Sequence, residues 1–359
     1  MVTLREHILV KALFILKRRG DFNPEMQANL SMSTGLYNSA SFVSAMLNSM
    51  DINSDMVVVT DANDIDREVT RASPSHVFIE ALWVMPAKFH VLQKLHPTVT
   101  WVVRLHSDMP FIAGEGMAMD WISDYSSCAR VIIAANAPRM QRELQIMLKL
   151  RNAWTDRDTR DRVIYLPNYY PQSYKTKALD HHKPTVDICC FGAVRPMKNH
   201  LLQAVAALEF AVHHRKTLRF HINAGRMEGK GEPVMRNLEN LFAQIHHSGH
   251  QLVAHAWTPR AQFLELCASM DLGLQVSLSE TFNIVGADLI SQGVPLVSSA
   301  EIPWAAGLFT ANPTSSRSIV HKLHTAWELP SVNVWWQQRN LHAYTHKTKR
   351  VWQRFMQGK

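Results

Sequence analysis

Several absences narrow the chain before any motif is read. No apolar run approaches the roughly 18 residues that span a bilayer. The N-terminus, Met1 to His7, carries no signal-peptide core or cleavage site. Both point to a cytoplasmic protein. Cysteine is scarce, with four in 359 residues, and none forms a C-x-x-C pair. Cys189 and Cys190 are adjacent in a predicted strand, so their side chains point to opposite faces. Cys128, Cys189, Cys190 and Cys267 therefore read as reduced structural thiols. There is no Walker A sequence and no G-x-G-x-x-G after the first strand, which weighs against P-loop and dinucleotide enzymes. Short-period repeats and low-complexity tracts are missing too. After Glu328 there is not one acidic residue.

What is present is ordinary in amount and informative in order. The length suits two domains, and 47% apolar against 19% charged residues is a globular composition. The formal charge of +8 favours polyanionic partners: nucleic acid, anionic lipid or phosphate-bearing substrates.

Short apolar runs alternate with amphipathic stretches. Ala12 to Leu16, Met56 to Val59, His76 to Ile79, Thr100 to Leu105, Arg130 to Ala134 and Arg162 to Leu166 are bounded by polar or turn residues, as buried parallel strands are. Helical patterns such as Ser41 to Met50, Pro86 to Leu95 and Pro138 to Leu150 lie between them. A polar stretch from Tyr170 to Pro184 reads as a linker. The rhythm restarts at Val186 and continues through Leu218 to Ile222, Leu252 to Ala256, Leu272 to Val276 and Pro295 to Ser298. The pattern predicts an α/β protein of two doubly wound units: 1–172, 185–330, and a basic, aromatic helix over 331–359.

The most informative segment runs from Ser279 to Val297. A strand enters a polar loop, a helix opens near Asn283, Gly293 suits its C-terminal cap, and Pro295 leads into another strand. The loop presents backbone amides around Thr281, Phe282, Asn283 and Ile284 at a helix N-terminus, where phosphate binds well. Glu280 precedes the helix and Asp288 follows eight positions later. Both can accept hydrogen bonds from sugar and ribose hydroxyls.

That segment resembles the E-x7-E region of family 4 and related glycosyltransferases of the GT-B fold. Glu280, Phe282, Gly293, Pro295 and Val297 are in register. Asp288 stands for the second Glu, and Thr281 and Asn283 stand for two glycines. Phe191 to Asn199 is similar to the family's G-R-x-x-x-x-K-G loop: Lys198 matches the Lys, Ala193 occupies the usual Arg position, and Arg195 lies two residues on. Ser33 to Ala40, containing Gly35, resembles the loop after the first strand. Val103 to Asp108 resembles the strand end whose His, here His106, lies beside the transferred sugar. Val163 to Asn168 resembles the last strand of the N-terminal domain.

The resemblance implies two Rossmann-like domains facing across a cleft, the first binding acceptor and the second a UDP- or GDP-sugar donor. It implies retaining hexosyl or pentosyl transfer without a cofactor or metal. Glu280 would bind sugar hydroxyls, Asp288 the ribose, and Arg195 and Lys198 the diphosphate, whose growing charge such cations stabilise. His106 would contact the sugar or relay a proton, with Gly35 facing the phosphates.

Gly35 to Ala40 and His76 to Trp83 resemble compact bacteriophage-type glycosyltransferases. That implies a hydroxymethylated pyrimidine in DNA as acceptor, in the host cytoplasm. A lipid-linked or small saccharide acceptor is the alternative. Ala193 and Asp288 motivate a different class, a non-catalytic nucleotide-sugar-binding protein.

Competing signals are weaker. Asp64-Ile65-Asp66 matches a metal-binding D-x-D but precedes a helical pattern, so it reads as a helix start. His246, His247 and His250 lack acidic or cysteine partners at ligand spacing and read as a solvated helix end and loop. The tail (Arg339, Lys347, Lys349, Arg350, Arg354, Lys359, with interleaved aromatics) has three readings: a helix packed on the N-terminal domain, a DNA surface, or a peripheral anionic-membrane surface.

Overall fold

The computed structural model describes residues 11–18 and 35–358. The chain divides into two compact units, Met1–Pro171 with His346–Lys359, and Gln172–Thr345.

The first unit contains a six-stranded sheet: β1 (Lys11–Lys17), β2 (Asn53–Val59), β3 (His76–Glu80), β4 (Thr100–Leu105), β5 (Val131–Ala135) and β6 (Val163–Tyr165). Its order is β2-β1-β3-β4-β5-β6, and every pairing is parallel. The helices are α1 (Gly35–Asn48), α2 (Asp64–Ala72), α3 (Pro86–Leu95), α4 (Met109–Ile112), α5 (Ala118–Ser127), α6 (Pro138–Asn152) and α7 (Asp156–Arg162). Successive residues of β1 feed different layers. Leu13 and Ile15 join Phe89, Ile122 and Leu144, whereas Ala12, Phe14 and Leu16 join Val43, Leu47 and Trp352. Period-two alternation with both faces apolar is what a parallel strand covered by helices requires.

Helix starts follow local chemistry. The Asp64 carboxylate accepts the amides of Thr60 and Asp61 at 3.0 and 3.4 Å, and Asp66 pairs with His96 at 2.8 Å. The D-x-D sequence is thus the first turn of α2, where carboxylates complement the macrodipole. Pro86 and Pro138 open α3 and α6, a position where the missing amide hydrogen costs nothing.

The second unit holds β7 (Thr185–Val194), β8 (Thr217–Met227), β9 (Gln251–His255), β10 (Leu272–Gln275), β11 (Leu296–Ser299) and β12 (Thr310–Ala311). Its helices are α8 (His200–His213), α9 (Gly231–Gln244), α10 (Arg260–Ser269), α11 (Ile284–Ser291) and α12 (Ser316–Glu328), while α13 (Pro330–Met356) belongs to it up to Thr345 and to the first unit from His346. The order β12-β11-β10-β7-β8-β9 is again all parallel. Counted within the unit it is the Rossmann order 3-2-1-4-5-6, with its switch point between β7 and β10.

The four cysteines are buried and unpaired in disulfides. Burial pushes the Cys190 thiol up to about 12, which keeps it protonated and inert.

The polar stretch over 170–184 forms no helix or strand, yet much of it is held. The Lys175 amide donates to the Ser291 carbonyl at 2.7 Å, and the Lys177 ammonium donates to the carbonyls of Ala268 and Met270. In α13, Asn333 bonds both backbone polar groups of Leu296, and Gln337 accepts from the Ala306 amide. Further along that helix, Trp352 is buried against Phe14 and Phe78 and donates to the Pro167 carbonyl at 2.8 Å. No helix of the described residues is long and apolar enough to cross a membrane.

Gly293 ends α11 at φ +78°, and a Cβ there would lie 2.8 to 3.0 Å from the backbone of Lys175 to Lys177. Both the left-handed conformation and the contact demand glycine. Gly293→Ala is expected to destabilise the protein by about 2 kcal/mol or more, read as a lower denaturant midpoint at unchanged slope.

Candidate active site

Parallel strands deliver all their carboxyl ends to one edge of the sheet, and ligands of open α/β sheets bind where the strand order reverses. In the second unit that place is between β7 and β10. The predicted site residues of this half come from the segments leaving those two strands.

From β7 the chain passes Gly192, whose φ of +114° suits glycine and whose amide donates to Asn223 at 2.9 Å. It then makes a single 3-10 turn, Pro196–Lys198, ends that turn at Asn199 in the left-handed region, and enters α8. From β10 it passes Glu280 and enters α11 after Asn283, also left-handed at φ 65°. The two segments are stitched together. The Leu278 amide donates to the Met197 carbonyl at 2.9 Å. The Asn199 amide group donates to the Val276 and Pro313 carbonyls at 3.1 and 2.7 Å. Gln275 donates to the Phe191 carbonyl at 2.9 Å.

At their meeting point the Lys198 ammonium contacts the Glu280 carboxylate, with side chains only 10% and 7% exposed. Removing two charges from water is costly unless they pair, which explains the contact. Asn283 donates to the same carboxylate at 3.3 Å and to Gln275 at 2.8 Å, while its Oδ1 caps the Gly286 amide at 2.7 Å. The Ala287 amide bonds the Asn283 carbonyl, so Asn283 satisfies the third and fourth amides of α11. The donors that this helix presents to an anion are therefore those of Ile284 and Val285. A Cβ at Gly192 would lie 3.7 Å from Lys198 Cε and 3.9 Å from Val285. The contact on the Val285 side is its Cγ2 methyl, so the first turn of α11 and the lysine both border Gly192.

The other predicted residues fall nearby with different partners. Arg195 Nη1 is 3.5 Å from Glu228, at the end of β8. Thr281 is buried. Phe282 is a packing residue: its ring lies against Trp304 and Tyr344 and its carbonyl accepts from the Trp304 indole at 2.7 Å. Asp288 is 2% exposed and takes two bonds from Arg260, at 2.7 and 3.2 Å. Arg260 opens α10, beyond the carboxyl end of β9. The sequence reading missed both Arg260 and Glu228, since each lies outside the recognisable segments. Only its position just past a strand end could have marked Arg260.

In the first unit His106 follows the carboxyl end of β4. Its Nε2 contacts the Glu80 carboxylate at the end of β3, and Asn136 lies 3.5 Å from Nδ1. Arg104 is fully buried. It donates to both Glu80 oxygens at 3.1 Å and to the Leu166 and Pro167 carbonyls at 3.3 Å, and lies 5.2 Å from the Trp352 ring centre. Burial opposes ionisation of Glu80, but Arg104 and His106 outweigh it and hold the carboxyl below its ordinary value. An ionised Glu80 fixes the orientation of His106, as a carboxylate partner does for a catalytic imidazole. Glu80 and Arg104 were detectable as charges inside otherwise apolar strands, which must be paired if buried. Gly35 is exposed at the first position of α1, and among the described residues no atom lies within 4 Å of a Cβ placed there. Ser33 and Thr34, which precede it, lie outside the described residues.

His246, His247 and His250 lie in the turn and loop after α9, as read from the sequence: His246 contacts the Ala243 carbonyl, and His250 accepts the Leu218 amide at 2.9 Å.

No family model matches the chain, and none of the curated proteins matches its sequence. Solved structures do. The chain is similar to a UDP-forming trehalose-phosphate synthase from Burkholderia xenovorans, at 12% identity and TM-score 0.63, covering 83% of this chain and 77% of that one. It is similar to trehalose-6-phosphate from E. coli bound with UDP-2-fluoro glucose, at 11% identity and TM-score 0.67, covering 97% and 98%. It is also similar to sucrose-phosphate synthase from Thermosynechococcus elongatus, at 11% identity and TM-score 0.65, covering 98% and 100%. The likeness defines the fold, which is GT-B with two Rossmann-like units.

Two outcomes follow. Arg104→Met leaves Glu80 buried without its main counter-charge and is expected to cost about 3–5 kcal/mol, measured by denaturant unfolding. His200 is fully buried beside Lys198. Burial first, then Lys198 and Arg195, push it down to about 3 from its ordinary 6.5. Between those values the unfolded chain binds a proton that the folded chain does not, so stability rises with pH. Conversely, it falls by about 1.4 kcal/mol per unit on acidification through this window. In His200→Leu that part of the slope is expected to vanish in urea titrations from pH 7 to 4.

Proposed function

We propose that the protein is a glycosyltransferase that takes a hexosyl or pentosyl group from a UDP- or GDP-sugar. The observation that carries this is the convergence at the β7/β10 switch point of Lys198, Glu280 and the free amides of Ile284 and Val285. A cation and two helix N-terminal amides suit a diphosphate. A carboxylate beside them suits sugar hydroxyls, which are good donors to it. The named neighbours are UDP-forming or sugar-phosphate synthases, and one was determined with a UDP-sugar analogue, which supports the same reading.

In this proposal the donor diphosphate inserts beside Lys198 and competes with Glu280 for the ammonium. Bond breaking then builds negative charge on the leaving phosphate, against fixed N–H dipoles and a lysine that need not reorganise. Glu280, released from part of its ion pair, accepts from sugar hydroxyls. Asp288 serves the nucleotide ribose as the family resemblance implies, with Arg260 alongside it, and Arg195 adds charge near Glu228. His106, oriented by Glu80, contacts the transferred sugar or relays a proton, and Gly35 faces the phosphates. Transfer retains configuration and needs no metal or cofactor for charge neutralisation. The family 4 resemblance of the Glu280 to Val297 segment is the basis for the retaining course.

For the acceptor, the neighbours' names favour a small phosphorylated saccharide. The basic charge favours the alternative, hydroxymethylated pyrimidines in phage DNA or an anionic lipid-linked saccharide. A non-catalytic nucleotide-sugar-binding protein is the reading that a failed turnover test would leave.

The test is donor hydrolysis and transfer with a panel of UDP- and GDP-sugars, offered sugar phosphates, hydroxymethylated duplex DNA and a lipid-linked saccharide. Products are read by mass analysis. Lys198→Met is expected to lower turnover roughly 10²- to 10³-fold, the usual effect of removing one charge-stabilising donor. Glu280→Gln is expected to act similarly. Binding of UDP or GDP with no turnover on any acceptor would reject the enzyme reading, and absence of nucleotide binding would reject the site.

A further inference from the structure

α8 runs away from the nucleotide-facing loop and ends in His213, with His214 capping it. Fourteen residues of helix span about 20 Å, so this end is remote from Lys198. Here α8 meets α12, and His324 of α12 comes up against both histidines. His214 Nε2 and His324 Nδ1 are 2.9 Å apart. Ring centres are 4.6 Å apart for His213 and His324, 5.0 Å for His214 and His324, and 5.2 Å for His213 and His214. One ring nitrogen from each can be chosen so that all three lie within 4.8 Å of one another. Among the described residues this is the sole group of three histidine, cysteine or acidic side chains with ligand atoms so close.

We infer that His213, His214 and His324 form a site for a divalent transition metal of the zinc class, clamping the end of α8 to α12. Three imidazole nitrogens leave a fourth position for water or an acid, the usual arrangement of an open tetrahedral centre. Nitrogens about 2.0–2.1 Å from Zn²⁺ at tetrahedral angles stand about 3.3 Å apart. His214 and His324 are slightly closer than that, and His213, the exposed member, packs against both rings. Softness points the same way, since imidazole suits Zn²⁺, Cu²⁺ and Ni²⁺ and does not select Mg²⁺ or Ca²⁺.

The surroundings suit a ligand set. Burial, then the neighbouring imidazoles, lowers the proton affinity of His214 and His324. Neutral rings are the form that binds metal. Glu328 acts favourably on positive charge at both residues and Glu209 at His324, against the opposing Lys216 at His214 and His321 at His324. Phe210 and Trp327 flank the rings, with centres 4.5 Å and 5.7 Å from His214. This apolar wall limits rotation and shields one side. The cluster takes no part in the proposed sugar transfer; its role is to tie two helices of the second unit together.

The experiment uses the full chain, stripped with chelator and dialysed against Zn²⁺, with bound metal counted by elemental analysis. One equivalent is expected. His213→Gln and His324→Gln are each expected to weaken it by more than the roughly 10- to 100-fold that changes behind a metal ligand cause. The exposed His213 tests the site with least risk to the fold, which circular dichroism checks in each variant. A His246→Gln, His247→Gln double variant is expected to bind as the parent does. Zn²⁺ should raise the melting temperature of the parent and not of His213→Gln, since a ligand of the folded state stabilises it. No bound Zn²⁺ in the parent, or undiminished binding in both His213→Gln and His324→Gln, would overturn the assignment.

Discussion

Both sheets of this protein are parallel throughout, and that constraint governs where its chemistry can lie. A parallel sheet needs a crossover after every strand, and the crossovers bury both faces under helices. Apolar side chains then fill the central strands of the first sheet, as in β1, where Ala12, Leu13, Phe14 and Ile15 have no exposure. Polar function is left to the segments that leave the strands' carboxyl ends. Lys198, Glu280, Arg260, Glu228 and His106 all follow strands in this way. The carboxyl edge of each sheet thus gathers charged side chains for a reason that precedes any particular reaction, although the second unit also buries a charge network at the amino edge, where Asp187 pairs with Arg219 and His221 and Asp271 with Lys183.

The charges at those edges are balanced locally. Lys198 meets Glu280, Arg195 lies near Glu228, Asp288 is gripped by Arg260, and Glu80 sits between Arg104 and His106. Pairing is what makes burial of these groups tolerable. In the proposed function it would also set the ligand chemistry. A paired lysine is already desolvated, so an incoming anion competes with a carboxylate instead of with bulk water, and the displaced carboxylate becomes an acceptor for the same ligand. Binding of diphosphate and of sugar would then be coupled through one ion pair.

The fold was largely legible because its signals are local. Apolar runs such as Thr100 to Leu105 and helix openers such as Pro86 and Pro138 act within a few residues, and the elements they mark lie where expected, whereas the stretch to Ala40 that reads as a loop is helical from Gly35. Helices with weaker periodicity, such as α5, were not distinguished, and the strand expected over 162–166 is shortened because Arg162 completes α7. The stretch over 170–184 read as a linker because it is polar, whereas Lys175 and Lys177 are fastened to backbone carbonyls brought close by folding. In the site, Glu280, Asn283 and Lys198 were legible as members of short segments with the right residue types. Their mutual contact was not, since 82 positions separate Lys198 from Glu280.

By itself the sequence determined the α/β rhythm, the two-unit organisation, the helix start at Asn283 and the need for glycine at 293, because periodicity, capping and left-handed backbone are decided by neighbours in the chain. Only the tertiary structure decided the strand orders, the pairing of Lys198 with Glu280 and of Asp288 with Arg260, and the gathering of His213, His214 and His324. These depend on which crossovers bring distant strand ends and helix ends together. Burial then gives such pairings an energetic weight that spacing along the chain does not encode.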